Sequence, residues 1–97
     1  MYVTDDPKEF YDLTPDEQEQ LCAWIKLNFL PTKSFEQSED SYSLHGLFER
    51  SPSGFYISHG TFKQAMLLSG FKADNESLTN WHFNISKKSP ALLIRLK

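Results

Sequence analysis

Apolar positions recur at helical spacing in three stretches of the chain and alternate in a fourth. Leu21, Trp24, Ile25 and Asn28 fall at i, i+3, i+4 and i+7, which predicts a helix with Leu21, Trp24 and Ile25 toward a core. Its start is written as Thr14, Pro15, Asp16 and Glu17, a capping box with proline at the first helical position. Pro31 ends it near Asn28 or Phe29, because the residue before a proline avoids helical angles. Leu44, Leu47 and Phe48 mark a second helix, capped by Asp40 or Ser41 and running to about Arg50. Gly46 inside it costs about 1 kcal/mol relative to alanine. Ser58 caps a third over about residues 59–69, where Phe62, Ala65, Met66 and Ser69 keep the period. Gly70 then supplies a left-handed stop, onto which Phe71 folds back.

The strand signals are shorter. Phe55, Tyr56 and Ile57 follow the turn at residues 51–54 as a brief aromatic and β-branched run. Trp81, Phe83 and Ile85 alternate with His82, Asn84 and Ser86, the period of a half-buried strand. After a turn at Ser89 and Pro90, Leu92, Leu93 and Ile94 make a last strand or an apolar tail. The expected fold is therefore α+β: about three helices and a small antiparallel hairpin or sheet, loosely winged-helix-like. At 97 residues this is one domain, with residues 1–13 as an acidic arm, extended or in a short helical turn, and residues 14–97 as the body.

Charge changes that picture. Residues 1–20 hold Asp5, Asp6, Glu9, Asp12, Asp16, Glu17 and Glu19 against Lys8, and the rest of the chain is mildly basic. The overall net charge of −3 is unlike the strongly basic balance of a generic nucleic-acid binder. No apolar run would span a bilayer, no signal-peptide pattern opens the chain, and Cys22 has no cysteine to pair with, so a reduced cytoplasmic setting is expected.

Candidate chemistry is sparse. No phosphate loop, metalloprotease histidine pair or serine elbow is present, and a chain this short seldom encloses a cleft, so no enzyme and no cofactor are expected. Cys22, His45, His59 and His82 match a zinc ligand count, but they sit on different predicted elements and lack close pairing, which favours separate histidines over a metal site. Lys63 and Gln64 near the start of the third helix, with Lys72, Lys87, Lys88 and Arg95, offer a phosphate-gripping surface in which the lysine pair tips a hairpin wing. The acidic arm offers a protein-binding surface instead: Asp5, Asp6, Glu9, Asp12, Asp16 and Glu17 as carboxylates, and Tyr2, Phe10 and Tyr11 as aromatic anchors.

Several short stretches carry a resemblance. Ser41 to His45, Gly54 to Ile57, Phe62 to Met66, Gly70 and Phe71, and Asn80 to Ser89 resemble small proteins encoded by phages and integrative elements of low-GC Gram-positive bacteria. The likeness covers roughly residues 20–90 and brings no catalytic residues with it. It implies a mobile-element protein that binds and inhibits a host defence protein, most concretely an anti-CRISPR-like blocker of a type II RNA-guided nuclease. The partner is then a host or element-encoded protein, with no membrane and no small-molecule substrate. The alternative is a winged-helix-like DNA-binding accessory or regulatory protein of such an element.

Overall fold

A computed structural model describes residues 5–95. The chain begins with a 3-10 helix at Pro7–Asp12. Four α-helices follow: α1 at Pro15–Asn28, α2 at Ser41–Glu49, α3 at His59–Leu68 and α4 at Pro90–Arg95. The capping chemistry sets three of these starts. Thr14 Oγ1 accepts from the Glu17 N–H at 3.2 Å while Glu17 Oε1 accepts from the Thr14 N–H at 2.9 Å, closing the box in both directions. Asp40 caps α2 through the Ser43 N–H, and Ser58 caps α3 through the Thr61 N–H. Gly70 ends α3 at φ 97°, a conformation a side chain would strain.

Helix α3 is the centre. Residues 59–63, Ala65 and Met66 are all buried, because the N-terminal 3-10 segment, α1 and α2 pack around it. A helix buried on every side is ordinarily apolar all round, yet this one carries His59, Thr61 and Lys63. Each therefore needs a partner inside the protein.

The expected α+β fold with a hairpin is not what forms. Helices make up almost half the chain, and pairing outside them is confined to two isolated bridges among the described residues, Pro31 with Ile85 and Ala73 with Phe83. The alternation at residues 81–86 is real: Trp81, Phe83 and Ile85 are buried, and His82, Asn84 and Ser86 half-buried. The ladder fails for local reasons. The Asn84 side chain takes the Lys72 N–H at 2.7 Å and donates to Thr32 O at 3.2 Å where the next backbone rungs would lie. Residues 55–57 form no strand either, since the Ile57 N–H is taken by the Glu49 carboxylate at 3.0 Å. Residues 92–94 lie in α4: Pro90 sits at its first position, and Ser89 O accepts from the Leu92 and Leu93 N–H groups. Without a hairpin there is no wing, and Lys87 and Lys88 occupy the turn before α4.

The acidic arm takes the second form open to it, a short helical turn strapped onto α3. Phe10 is buried at its centre. Burying one phenylalanine stabilises by about 1.5–3 kcal/mol, against an ordering cost of roughly 1–2 kcal/mol for each residue fixed, so the strap needs further ties. One is steric fit. A Cβ on Gly60 would stand 2.1 Å from the Asp6 carbonyl oxygen, so only glycine lets the two backbones meet.

Gly60→Ala should therefore lower unfolding stability by about 1–3 kcal/mol, since backbone cannot yield as a side chain does. Gly46→Ala, whose added methyl meets only the mobile head of Arg50, should raise it by about 0.5–1 kcal/mol. Urea denaturation midpoints of the two variants check this. Equal or reversed shifts would show that the strap is not seated on Gly60.

Candidate functional site

Two places in the fold are candidates. The first lies under the strap. Asp5 Oδ1 is 2.6 Å from His59 Nδ1, and His59 Nε2 is 2.6 Å from Ser41 Oγ, which also accepts the Trp81 N–H at 2.9 Å. A hydroxyl has one proton to give, and with a lone pair already on Trp81 N–H it satisfies everything by donating to Nε2. His59 is then neutral with its proton on Nδ1, donated to Asp5. Desolvation, the largest influence, holds the imidazole below its ordinary pKa; nearby Lys63 and His45 push the same way, and Asp5 opposes them. The Tyr42 ring stands edge-on to the imidazole at 5.5 Å and completes its surroundings.

The order Asp–His–Ser is that of an acyl-transfer triad, but the chemistry does not follow. Ser41 is fully buried and its oxygen is occupied, so no substrate carbonyl reaches it in this arrangement. The relay acts as a latch joining the strap, α2, α3 and the segment at Trp81. Glu9 adds a tie by accepting the Ser58 hydroxyl at 2.9 Å, and Gln64 donates to the Tyr11 hydroxyl at 3.1 Å. Lys63 lies beneath, its Nζ donating to Thr79 O at 2.9 Å and 4.6 Å above the Trp81 ring. Burial lowers its pKa, while Asp5 and Asp6 favour its charge.

These contacts redistribute the residues singled out from sequence. Asp5, Asp6, Glu9 and Glu17 have local work: the latch, the cap of the 3-10 helix, the Ser58 tie and the capping box. Phe10 is core, and Tyr2 lies outside the described residues. Tyr11, Asp12 and Asp16 remain exposed, with Glu19 beside them on α1. In the basic set, Lys63 is buried and Gln64 half-buried; Lys72, Lys87 and Lys88 are exposed, and the side chain of Arg95 lies outside the description. The four zinc candidates do not converge. His45 and His59 rings are 5.7 Å apart, while His82 Nδ1 faces the carbonyls of Glu36 and Glu39, each at 3.2 Å. Among the described residues no three His, Cys, Asp or Glu side chains are placed to hold a metal.

The second place is a groove of about 330 Å³ lined by Trp24, Asn28, Leu47, Arg50, Ser51, Pro52 and Ala91. Trp24 faces the core as its helical spacing predicts, packed on Phe29 and Phe48, and stays half-buried because its outer side lines the groove. No sequence signal marked Arg50 or Ala91, because the groove exists only where α4 closes against α1.

No family model, curated protein or solved structure matches the chain. No described helix is long and apolar enough to cross a membrane.

The latch makes stability pH-dependent with a defined sign. A histidine held below its unfolded pKa contributes stability present above about pH 6.5 and lost as pH falls through that value toward the folded pKa. Stability should decline between about pH 7 and 5 in the wild type and stay flatter in His59→Gln, measured by urea midpoints across pH. Ser41→Ala, which orphans the Trp81 N–H and His59 Nε2 together, should cost about 1–3 kcal/mol at neutral pH.

Proposed function

We propose that this protein works by binding another protein, presenting a carboxylate-bearing face to a basic surface. The observation that carries the reading is the set Tyr11, Asp12, Asp16 and Glu19. All four are exposed, and none of the three acids has an ion-pair or hydrogen-bond partner among the described residues. Asp16 and Glu19 are three apart on α1 and share a face, and Asp12 stands just ahead of the Thr14 cap. Tyr11, next to Asp12 in the strap, is 60% exposed with its hydroxyl tied to Gln64, an anchor that loses little entropy when covered.

The most concrete partner is an RNA-guided nuclease of host defence, whose nucleic-acid channel is positively charged. Carboxylates on a rigid strap and helix match such a surface better than a duplex, whose phosphates they repel. The buried position of Lys63 argues in the same direction, because it removes the cation nearest the start of α3 from any phosphate.

The test is association with a guide-loaded type II nuclease by surface interferometry, beside a nonspecific DNA duplex. Binding to the nuclease should weaken with salt, and Asp12→Asn/Asp16→Asn/Glu19→Gln should slow association about tenfold, because rim charges act mainly on the on-rate. The duplex should not bind. No association with the nuclease at about 10 µM protein, or an unchanged on-rate in the triple variant, would overturn the reading.

A further inference from the structure

We propose that the groove between α1, the end of α2 and α4 docks a partner peptide that sets one large apolar side chain beside a carboxylate. Its floor is apolar: Trp24, Leu47, Pro52 and Ala91. Its charge comes from Arg50, which is exposed and has no ion pair among the described residues. The neighbouring acid does not neutralise it. Glu49 Oε2 accepts the Ile57 N–H at 3.0 Å, and its Oε1 faces His45 Nε2 at 3.8 Å. The Trp24 indole N–H has no hydrogen-bond partner among the described residues, whereas the Trp81 indole donates to Leu78 O at 2.7 Å. A guanidinium beside an apolar floor suits a carboxylate next to a hydrophobic side chain, because the planar fork grips both oxygens.

The Arg50 guanidinium lies over Gly46, its Nη1 2.9 Å from where a Cβ would stand, at the edge the groove shares with a polar recess lined by Tyr42, Ser43, His45 and Glu49. A peptide fits better than a small acid because the apolar surface continues beyond the groove. Leu27, 75% exposed, follows Trp24 by three residues on the same side of α1. An extended chain covers both.

The site is independent of the acidic face, and its test uses the isolated full chain. An acetylated pentapeptide with Asp beside Trp, and its Asn counterpart, are titrated into ¹⁵N-labelled protein to about 2 mM, a range suited to short peptides. The Asp peptide should shift the Trp24 indole resonance saturably and leave that of Trp81 in place. Affinity should fall at least about tenfold with the Asn peptide or in Arg50→Gln, whose thermal unfolding should match wild type at this exposed position. An unmoved Trp24 resonance, or equal affinities for the two peptides, would overturn the proposal. So would an Arg50→Gln variant that binds like wild type.

Discussion

The strap's contact with the N-terminal end of α3 governs much else in this fold. Because Gly60 has no side chain, the backbone at Asp6 reaches the helix, and that proximity brings the Asp5 carboxylate to His59. His59 in turn orders the Ser41 hydroxyl, and Ser41 holds the Trp81 backbone. Four segments distant in sequence are thus fixed by one chain of hydrogen bonds with no free donor or acceptor inside it. Such a network stabilises when complete and costs heavily when an inner member is lost, since His59, Ser41 and the Trp81 backbone are buried. The positive end of α3 also faces the strap's acids, which adds a favourable dipole term at the same place.

This arrangement explains what happened to the acidic segment. Read as a sequence, seven carboxylates against one lysine look like a single charged arm. Folded, they divide by geometry. Those whose spacing meets a cap, a hydroxyl or an imidazole are consumed locally, as Glu17 is by Thr14 and Glu9 by Ser58. Those facing away from α3 keep their charge for solvent or a partner. Lys63 belongs to the same balance. Its burial is tolerable because Thr79 O accepts its proton, the Trp81 ring faces the ammonium, and Asp5 and Asp6 lie near enough to favour the cation.

How much was legible follows from the range of each interaction. Caps and stops are local, and Thr14 with Glu17, Ser58 with Thr61 and the left-handed Gly70 were all readable from adjacent residues. The alternation at residues 81–86 correctly gave which side chains are buried, because period two reports exposure and not pairing. Pairing needed the neighbours, and there the Asn84 side chain takes the Lys72 N–H and donates to Thr32 O in place of backbone rungs. The rule that identified Pro15 as a helix start applies equally to Pro90, yet three apolar residues after it suggested a strand or an apolar tail. The latch was beyond sequence reasoning, for Asp5, Ser41 and His59 are joined only by the path of the strap. The spacing of Trp24 correctly turned it toward the core, but not its half-exposure, which depends on how α2 and α4 end beside it.

Helix α1 then carries two surfaces of opposite chemistry. Its first turn, beside the strap, presents carboxylates, and its last turns form a wall of an apolar groove that ends on a guanidinium. A 14-residue helix is about 21 Å long at 1.5 Å per residue, so the two lie within the span of one ordinary protein interface. A partner engaging both would meet negative charge at one end and positive charge at the other, and reversing it would set like charges together at each. Polarity of this kind contributes little to affinity and much to orientation, because a wrongly turned encounter is repelled before it is desolvated. The latch matters to that outcome although it touches no partner. By fixing the strap on α3 it limits where Tyr11 and Asp12 can stand, while α1 itself holds Asp16, Glu19 and the groove wall in one relative position.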